Sequence, residues 1–143
     1  MKFRSILGAA VRVSVIALLL LPAVGCPRKK IIFHLSPSSL MFSADEGGPP
    51  PADQILTMTG ISEIPHGGAT WTLETDQPWL SVAPTSGYLH AREAVLLTVS
   101  ADQSVLSAGM YPGTITIVAH YKKNQYPQTL DVVLDVISGG KFR

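Results

Sequence analysis

Residues 76–87 of this 143-residue chain read Asp-Gln-Pro-Trp-Leu-Ser-Val-Ala-Pro-Thr-Ser-Gly, and this stretch decides the fold. Pro78 leads into a short apolar run that starts at Trp79, and Pro84 followed by Thr-Ser-Gly leads out of it. Because proline cannot donate a hydrogen bond to a sheet, the two prolines bound one short strand. We interpret the stretch as a strand held at both ends, with Trp79 capping a core.

The remainder of the chain supplies strands to pack around this one. Residues 69–74 alternate, with Ala69, Trp71 and Leu73 on one face and polar side chains on the other, which is typical of a half-buried strand. Comparable segments lie at 30–35, 40–44, 54–59, 79–83, 94–101, 113–120 and 129–137. The pattern predicts an all-β, two-sheet antiparallel sandwich of seven to eight strands. We expect the connection 102–112 to cross between the sheets, with a helical turn near 104–108.

The N-terminus has the features of a secretory signal peptide. Lys2, Arg4 and Arg12 precede an apolar run at 13–21, and small residues follow directly before Cys26. The apolar segment is shorter than the ~20 residues that a membrane-spanning helix needs. We therefore expect residues 1–25 to form a helical signal peptide that is cleaved.

Cys26 is the single cysteine of the chain and follows Ala23-Val24-Gly25 at the expected cleavage site. This arrangement resembles the lipobox of bacterial lipoproteins, although that pattern prefers Leu where Ala23 stands. The resemblance implies lipidation of Cys26, which would anchor the protein stably to a membrane. The alternative is an ordinary secreted protein that begins with a cysteine. Pro27, in place of the Asp that retains lipoproteins at the inner membrane, favours the outer membrane of the bacterial cell envelope, with the periplasmic or surface face left open.

Charge divides the mature chain into a basic start and an acidic domain. Residues 26–34 form the expected lipidated N-terminus and a basic tether with Arg28, Lys29 and Lys30, which suits anionic headgroups or is simply solvated. Residues 35–138 form the expected sandwich and 139–143 a flexible tail. Between residues 35 and 137, 3 basic residues face 10 acidic ones, a formal charge of −7. A nucleic-acid partner, which needs a basic face, is not expected.

Several stretches together resemble the BACON domain family. They are residues 35–44, 70–73, 76–87 and 108–117 with the closing alternating strand, and the Pro-Trp-Leu-Ser-Val-x-Pro-Thr-Ser-Gly string is the most specific. The structural motif comprises Trp71, Pro78, Trp79, Pro84 and Gly87. The resemblance implies an immunoglobulin-like sandwich that binds carbohydrate, mucin or another glycosylated partner. Such domains are usually appended to bacterial carbohydrate-active enzymes or proteases, whereas this chain has no enzyme attached.

No pattern in the chain indicates catalysis. Asp131 and Asp135 lie four residues apart on one strand face, about 13 Å, which is too far for either kind of glycosidase acid pair. The four histidines, at positions 34, 66, 90 and 120, lack the close spacing of a zinc site. We expect a protein that is not an enzyme and needs no metal or cofactor.

Sugar binding needs exposed aromatic rings, and four tyrosines are the candidates. Tyr88 follows the Pro-Thr-Ser-Gly turn, Tyr111 lies in the long connection, and Tyr121 and Tyr126 flank a hairpin turn. The first hypothesis is a domain that binds glycan or glycoprotein through these rings. The second is a structural or protein-interaction domain, such as an accessory subunit of an envelope complex, which an open sheet edge would serve.

Overall fold

The computed structural model describes residues 31–62, 64 and 68–139. The expected signal peptide, Cys26, the tether before residue 31, His66 and the tail after residue 139 lie outside the described residues. No helix in this described part is long and apolar enough to span a bilayer. The described strands are β1 (Phe33–Ser36), β2 (Ser39–Asp45), β3 (Gln54–Gly60), β4 (Ala69–Thr75), β5 (Leu80–Ala83), β6 (Ser86–Leu89), β7 (Ala94–Ala101), β8 (Gly109–Tyr121) and β9 (Asn124–Ile137).

The strands form two packed sheets. The four-stranded sheet has the order β1-β3-β7-β5, and the five-stranded sheet has the order β2-β9-β8-β4-β6. The predicted all-β, immunoglobulin-like sandwich is confirmed, with nine described strands where the sequence pattern predicted seven or eight. One pairing differs from the expected antiparallel plan, since β2 runs parallel to β9.

The chain changes sheets at two prolines. Two residues, Pro37 and Ser38, separate β1 in one sheet from β2 in the other, and Pro84 and Thr85 do the same for β5 and β6. Both prolines follow cis peptide bonds. Because proline has no N–H, it cannot extend the ladder of the strand before it. At each side of the sandwich, one segment therefore forms the edge strand of both sheets: β1 and β2 at one side, β5 and β6 at the other. The parallel β2–β9 pair forms where β2 joins the five-stranded sheet.

Residues 76–87 are joined to neighbouring strands by backbone hydrogen bonds and by one bond to the Asp76 side chain. Asp76 donates its N–H to the Thr114 carbonyl at 3.2 Å and accepts the Thr114 N–H on Oδ1 at 2.7 Å. The Trp79 carbonyl accepts the Asp102 N–H at 2.8 Å, and the Thr85 carbonyl accepts the Leu73 N–H at 2.7 Å. The stretch is thus joined to β8, to the end of β7 and to β4 before it enters β6.

Each of the two tryptophans packs against a glycine of another segment. Trp71 is 2% exposed, and a Cβ placed on its cross-strand partner Gly87 would lie 2.9 Å from the indole Cζ2. Trp79 is also buried, and a Cβ on Gly113 would lie 3.0 Å from its Cζ2. The indoles thus occupy space that only glycine leaves open, at the two ends of one core. The other fully buried large side chains of that core include Phe33, Phe42, Leu56, Met58, Leu89, Leu97, Ile115, Ile117, Leu130 and Leu134.

Three boundaries differ from the sequence-based prediction. Phe33 belongs to β1 and not to the tether, because its buried side chain lies in the core and its backbone pairs with Gly60. Residues 86–89, which the sequence pattern assigns to a turn and its exit, form the edge strand β6. β8 begins at Gly109 and not at Gly113, because its first residues continue the pairing with β9.

The connection between β7 and β8 crosses between the sheets as expected, but it contains only a turn. Leu106 donates its N–H to the Gln103 carbonyl, and no helix forms there. The Ser104 N–H donates to Asp102 Oδ1 at 2.9 Å, and this bond, with that from the Ser104 hydroxyl, lowers the pKa of Asp102. The buried Gln103 donates Nε2 to the carbonyls of Gly48 and Pro49 at 3.0 and 2.7 Å. The proline-rich loop is thereby held against this connection.

We expect Gly87→Ala to lower the free energy of unfolding by about 1–3 kcal/mol, because the new methyl group would overlap the buried Trp71 ring. Urea unfolding followed by tryptophan fluorescence measures the change. Gly139→Ala is the control, since its Cβ would meet only the Glu46 carbonyl at an ordinary 3.6 Å. A Gly87→Ala protein as stable as the parent would contradict the packing described for Trp71.

Candidate functional site

The four candidate tyrosines differ in how they are placed. Tyr88 is 47% exposed on the edge strand β6. Tyr111, Tyr121 and Tyr126 are half-buried and pack against the core. The hydroxyl of Tyr111 donates to the Ser107 carbonyl at 2.8 Å. Ligand binding by any of the four stays a prediction, but only Tyr88 presents a largely exposed ring.

The ring of Tyr88 is held by its neighbours. Its centroid lies 4.8 Å from that of His90, with the ring planes tilted by 59°. The Tyr88 ring also covers Gly68, whose φ is +70°. A Cβ added at Gly68 would come within 2.5 Å of Tyr88 Cε1. A side chain at position 68 would displace the ring, so glycine there and His90 together define its orientation.

Polar side chains continue from Tyr88 across the outer face of the five-stranded sheet. Thr70 is the cross-strand partner of Tyr88, His120 is the partner of Thr70, and Gln125 is the partner of His120. Cross-strand partners point to the same face, and three strand spacings make a row about 14 Å long. We call these four residues the tyrosine row. His120 Nε2 also lies 3.4 Å from the Thr72 hydroxyl, so its ring is held beside the row.

The tyrosine row has the chemical composition of a weakly polar binding strip. It contains an exposed ring, a hydroxyl, an imidazole and an amide, and no Lys, Arg, Asp or Glu. Tyrosine offers an apolar face and a polar tip, so it packs against a ligand while hydrogen bonds orient that ligand. Sequence analysis located Tyr88 and placed Thr70 on an outward face. It missed His120 and Gln125 as parts of a site, because strand register is not visible in the sequence.

A second surface lies farther along the same face, at the end of the sheet away from the β8–β9 hairpin. Met41 and Met110 are 59% and 65% exposed, and Ile137 is 48% exposed. Val133 lies between the methionine strands as the partner of Met41, and we call these four residues the methionine patch. Asp135 lies within the patch, between Val133 and Ile137 on β9 and opposite Met110, and Asp45 borders the patch as the partner of Ile137.

Convergent catalytic or metal-binding groups do not occur in residues 31–62, 64 and 68–139. No cluster of three or more His, Cys, Asp or Glu side chains could hold a metal ion there. Asp131 and Asp135 both lie on the outer face of β9, four residues apart. The two candidate surfaces therefore offer contacts for a partner and no evident reactive group.

Comparison with known sequences identifies the family. Residues 63–133 match the family model of the viral BACON domain, a segment that contains Trp71, Trp79, Gly87 and the whole of the stretch 76–87. No curated protein matches the chain. The resemblance found in the sequence is thus confirmed for the part of the chain that the family model covers.

Solved structures share the sandwich at very low sequence identity. The PapD-like domain 7 of human CEP192 superposes with a TM-score of 0.64 at 13% identity, over 79% of this chain and 92% of that one. The periplasmic chaperone SfaE gives 0.60 at 6% identity, over 73% and 57%. A chain of the CsuC–CsuE chaperone–tip adhesion subunit complex of Acinetobacter baumannii gives 0.58 at 9%, over 75% and 53%. This chain thus spans little more than half of the latter two.

At these identities the structural likeness shows the fold alone, which is an immunoglobulin-like sandwich of the PapD-like kind. Residues 63–133 of this β-sandwich match the BACON domain family.

Proposed function

We propose that this protein is a lipid-anchored component of the bacterial cell envelope whose single BACON domain binds carbohydrate or a glycoprotein through the tyrosine row. The observation that carries the proposal is the half-exposed ring of Tyr88 at the head of a row of uncharged polar side chains. A sugar ring can lay its C–H face on the tyrosine while its hydroxyls meet Thr70, His120 and Gln125.

The electrostatics of the row favour a neutral ligand over a charged one. Its four side chains carry no formal charge when His120 is neutral, while the domain as a whole is acidic. Neutral sugars present hydroxyls that both donate and accept hydrogen bonds, which suits the uncharged hydroxyl, imidazole and amide groups of the row. The row length of about 14 Å leaves room for more than one sugar ring.

We expect Tyr88→Ala to abolish retention of the protein on the glycans that the parent binds in a glycan array, because the only largely exposed ring of the row is lost. Tyr111→Phe is the matched control: it removes a hydroxyl that bonds to Ser107 and leaves the row intact. Equal array profiles for Tyr88→Ala and the parent would exclude the row as the site. A parent that binds no glycan would remove the carbohydrate proposal itself.

The lipid anchor is proposed from Cys26, which lies outside the described residues. The resemblance around Cys26 is to bacterial lipoproteins, so the proposed location is the bacterial envelope even though the family model is that of viral domains. We expect mass spectrometry of the purified mature protein to find Cys26 as an acylated N-terminal residue, and Cys26→Ser to move the protein from the membrane to the soluble fraction. An unmodified Cys26 would contradict the anchor.

A second candidate function is docking to an envelope protein through the methionine patch. Unbranched methionine side chains adapt to varied partners, and large apolar side chains exposed close together mark interaction surfaces. Two of the solved structures with this fold are described as a chaperone and as a chaperone–adhesion subunit complex. Asp135 within the patch and Asp45 beside it suit a partner that presents basic residues next to apolar ones.

We expect Met41→Lys to abolish co-purification of a stoichiometric partner from membranes at native expression, because a basic charge would replace an exposed apolar side chain of the patch beside Val133. Leu96→Lys is the matched control, since Leu96 is 62% exposed but lies on the outer face of the other sheet. The same partner recovered with Met41→Lys, or no partner with the parent, would exclude this function.

A further inference from the structure

The topology gathers the basic side chains of the domain at one end. Phe33, the first residue of β1, pairs with Gly60, and the Gly60 carbonyl accepts the Arg92 N–H at 2.9 Å. Gln128 in β9 donates Nε2 to the Phe33 carbonyl, so the nearby β8–β9 hairpin with Lys122 lies at this end as well. We call it the basic end. It is the end at which the chain leaves toward Arg28-Lys29-Lys30.

The opposite end of the sandwich is acidic. Its loops lie between β2 and β3, β4 and β5, and β7 and β8, and they carry no Lys or Arg. The acidic residues at this end, where β2 and β4 stop and in these loops, are Asp45, Glu46, Asp53, Asp76 and Asp102. Among the described residues, Arg92, Lys122 and Lys123 are the basic ones, and all lie at the basic end. Glu93, next to Arg92, also lies at the basic end. Among the described residues this end therefore carries three basic side chains and one acidic one, whereas the opposite end carries acidic side chains and no basic ones.

Aromatic side chains accompany the basic ones. Tyr88, Tyr121 and Tyr126 lie in the parts of β6, β8 and β9 nearest the basic end. Lys122 Nζ is 5.5 Å from the centre of the Tyr121 ring. Tyrosine with an apolar body and a polar tip, beside lysine on a flexible stem, is the combination enriched at membrane–water interfaces.

We infer that the basic end lies against anionic phospholipid headgroups and that the acidic end points away from the membrane. The inference rests on the lipid anchor proposed at Cys26. Ile31 is the fifth residue after Cys26, and these five steps span at most about 18 Å when extended. The anchor thus keeps Arg92, Lys122 and Lys123 close to the surface, where each basic residue improves binding roughly fivefold and acidic loops are repelled.

This orientation gives the two candidate surfaces different surroundings. The tyrosine row lies beside the basic end, so it would run parallel to the membrane near the headgroups. The methionine patch lies toward the acidic end and faces away from the lipid. The outer face of the five-stranded sheet would thus bind a ligand at the tyrosine row near the membrane and a protein partner at the methionine patch farther from it.

The test uses the lipidated full-length protein in nanodiscs with nitroxide-labelled lipids. Cys26 is the single cysteine, so once it is acylated a second cysteine can be labelled alone. A fluorophore on Asn124→Cys reports the basic end, and one on Asp53→Cys reports the acidic end. With phosphatidylglycerol in the disc, we expect several-fold stronger quenching at position 124 than at position 53. Equal quenching, or stronger quenching at position 53, would overturn the inference.

A charge variant tests the cause. Arg92→Asn, Lys122→Asn and Lys123→Gln together remove the three charges, and Asn suits the positive φ of 62° at Arg92 and 55° at Lys122. We expect the triple variant to lose roughly a hundredfold in docking and the preference for position 124 with it. Asp45→Asn with Glu46→Gln is the control and should retain the preference. A preference that persists in the triple variant or in pure phosphatidylcholine would overturn the electrostatic mechanism.

Failure of the anchor is distinguishable from failure of the orientation. The intact mass of the same sample shows whether Cys26 is acylated. If it is not, the proposed anchor fails. Full-length Asn124→Cys and Asp53→Cys variants that also carry Cys26→Ser, so that each has one thiol to label, are then titrated with phosphatidylglycerol vesicles. Quenching confined to position 124 would then still support the basic end as the membrane-facing surface, and absence of quenching at both positions would overturn it.

Discussion

Pro84 imposes the constraint on which the rest of this structure depends. β5 pairs with β7 through residues 80–83, and proline at the next position has no N–H with which to continue that ladder. The chain passes to the other sheet and resumes pairing two residues later as β6, beside β4. One stretch of twelve residues, 76–87, thus provides an edge to both sheets and joins them.

The passage of residues 76–87 from one sheet to the other depends on the packing of each tryptophan against a glycine. Where the chain crosses between sheets, β6 must approach β4 closely enough for Gly87 to lie against the indole of Trp71. At the other end of the core, Trp79 lies on Gly113 just before β5 begins. Large rings over glycine exclude water from the edges, where a small sandwich has few other side chains to bury. The tryptophans and glycine of the family motif are therefore explained by the packing of the core.

Because β1 with β2, and β5 with β6, cover the two sides of the sandwich, its outer faces and its two ends are available for contacts with other molecules. The outer face of the five-stranded sheet carries both candidate surfaces, an uncharged row around Tyr88 and an apolar patch around Met41 with acidic neighbours. The ends differ in charge, since Arg92, Lys122 and Lys123 lie opposite the acidic loops. We propose that this difference in charge orients the domain at a membrane and that the uncharged row and the apolar patch select what it binds.

The sequence by itself determined the fold class, most strand positions and the family, because alternation and proline spacing are local properties of the chain. It also placed Trp71 on the inward face of its strand and named Tyr88 as a candidate ligand-binding residue. The tertiary structure alone decided that residues 86–89 form a strand in the second sheet, that β2 runs parallel to β9, and that Tyr121 and Tyr126 pack inward. It alone placed His120 and Gln125 in line with Tyr88, 32 and 37 positions along the chain. Register between distant strands and the end at which each loop emerges depend on long-range packing, and no local pattern contains them.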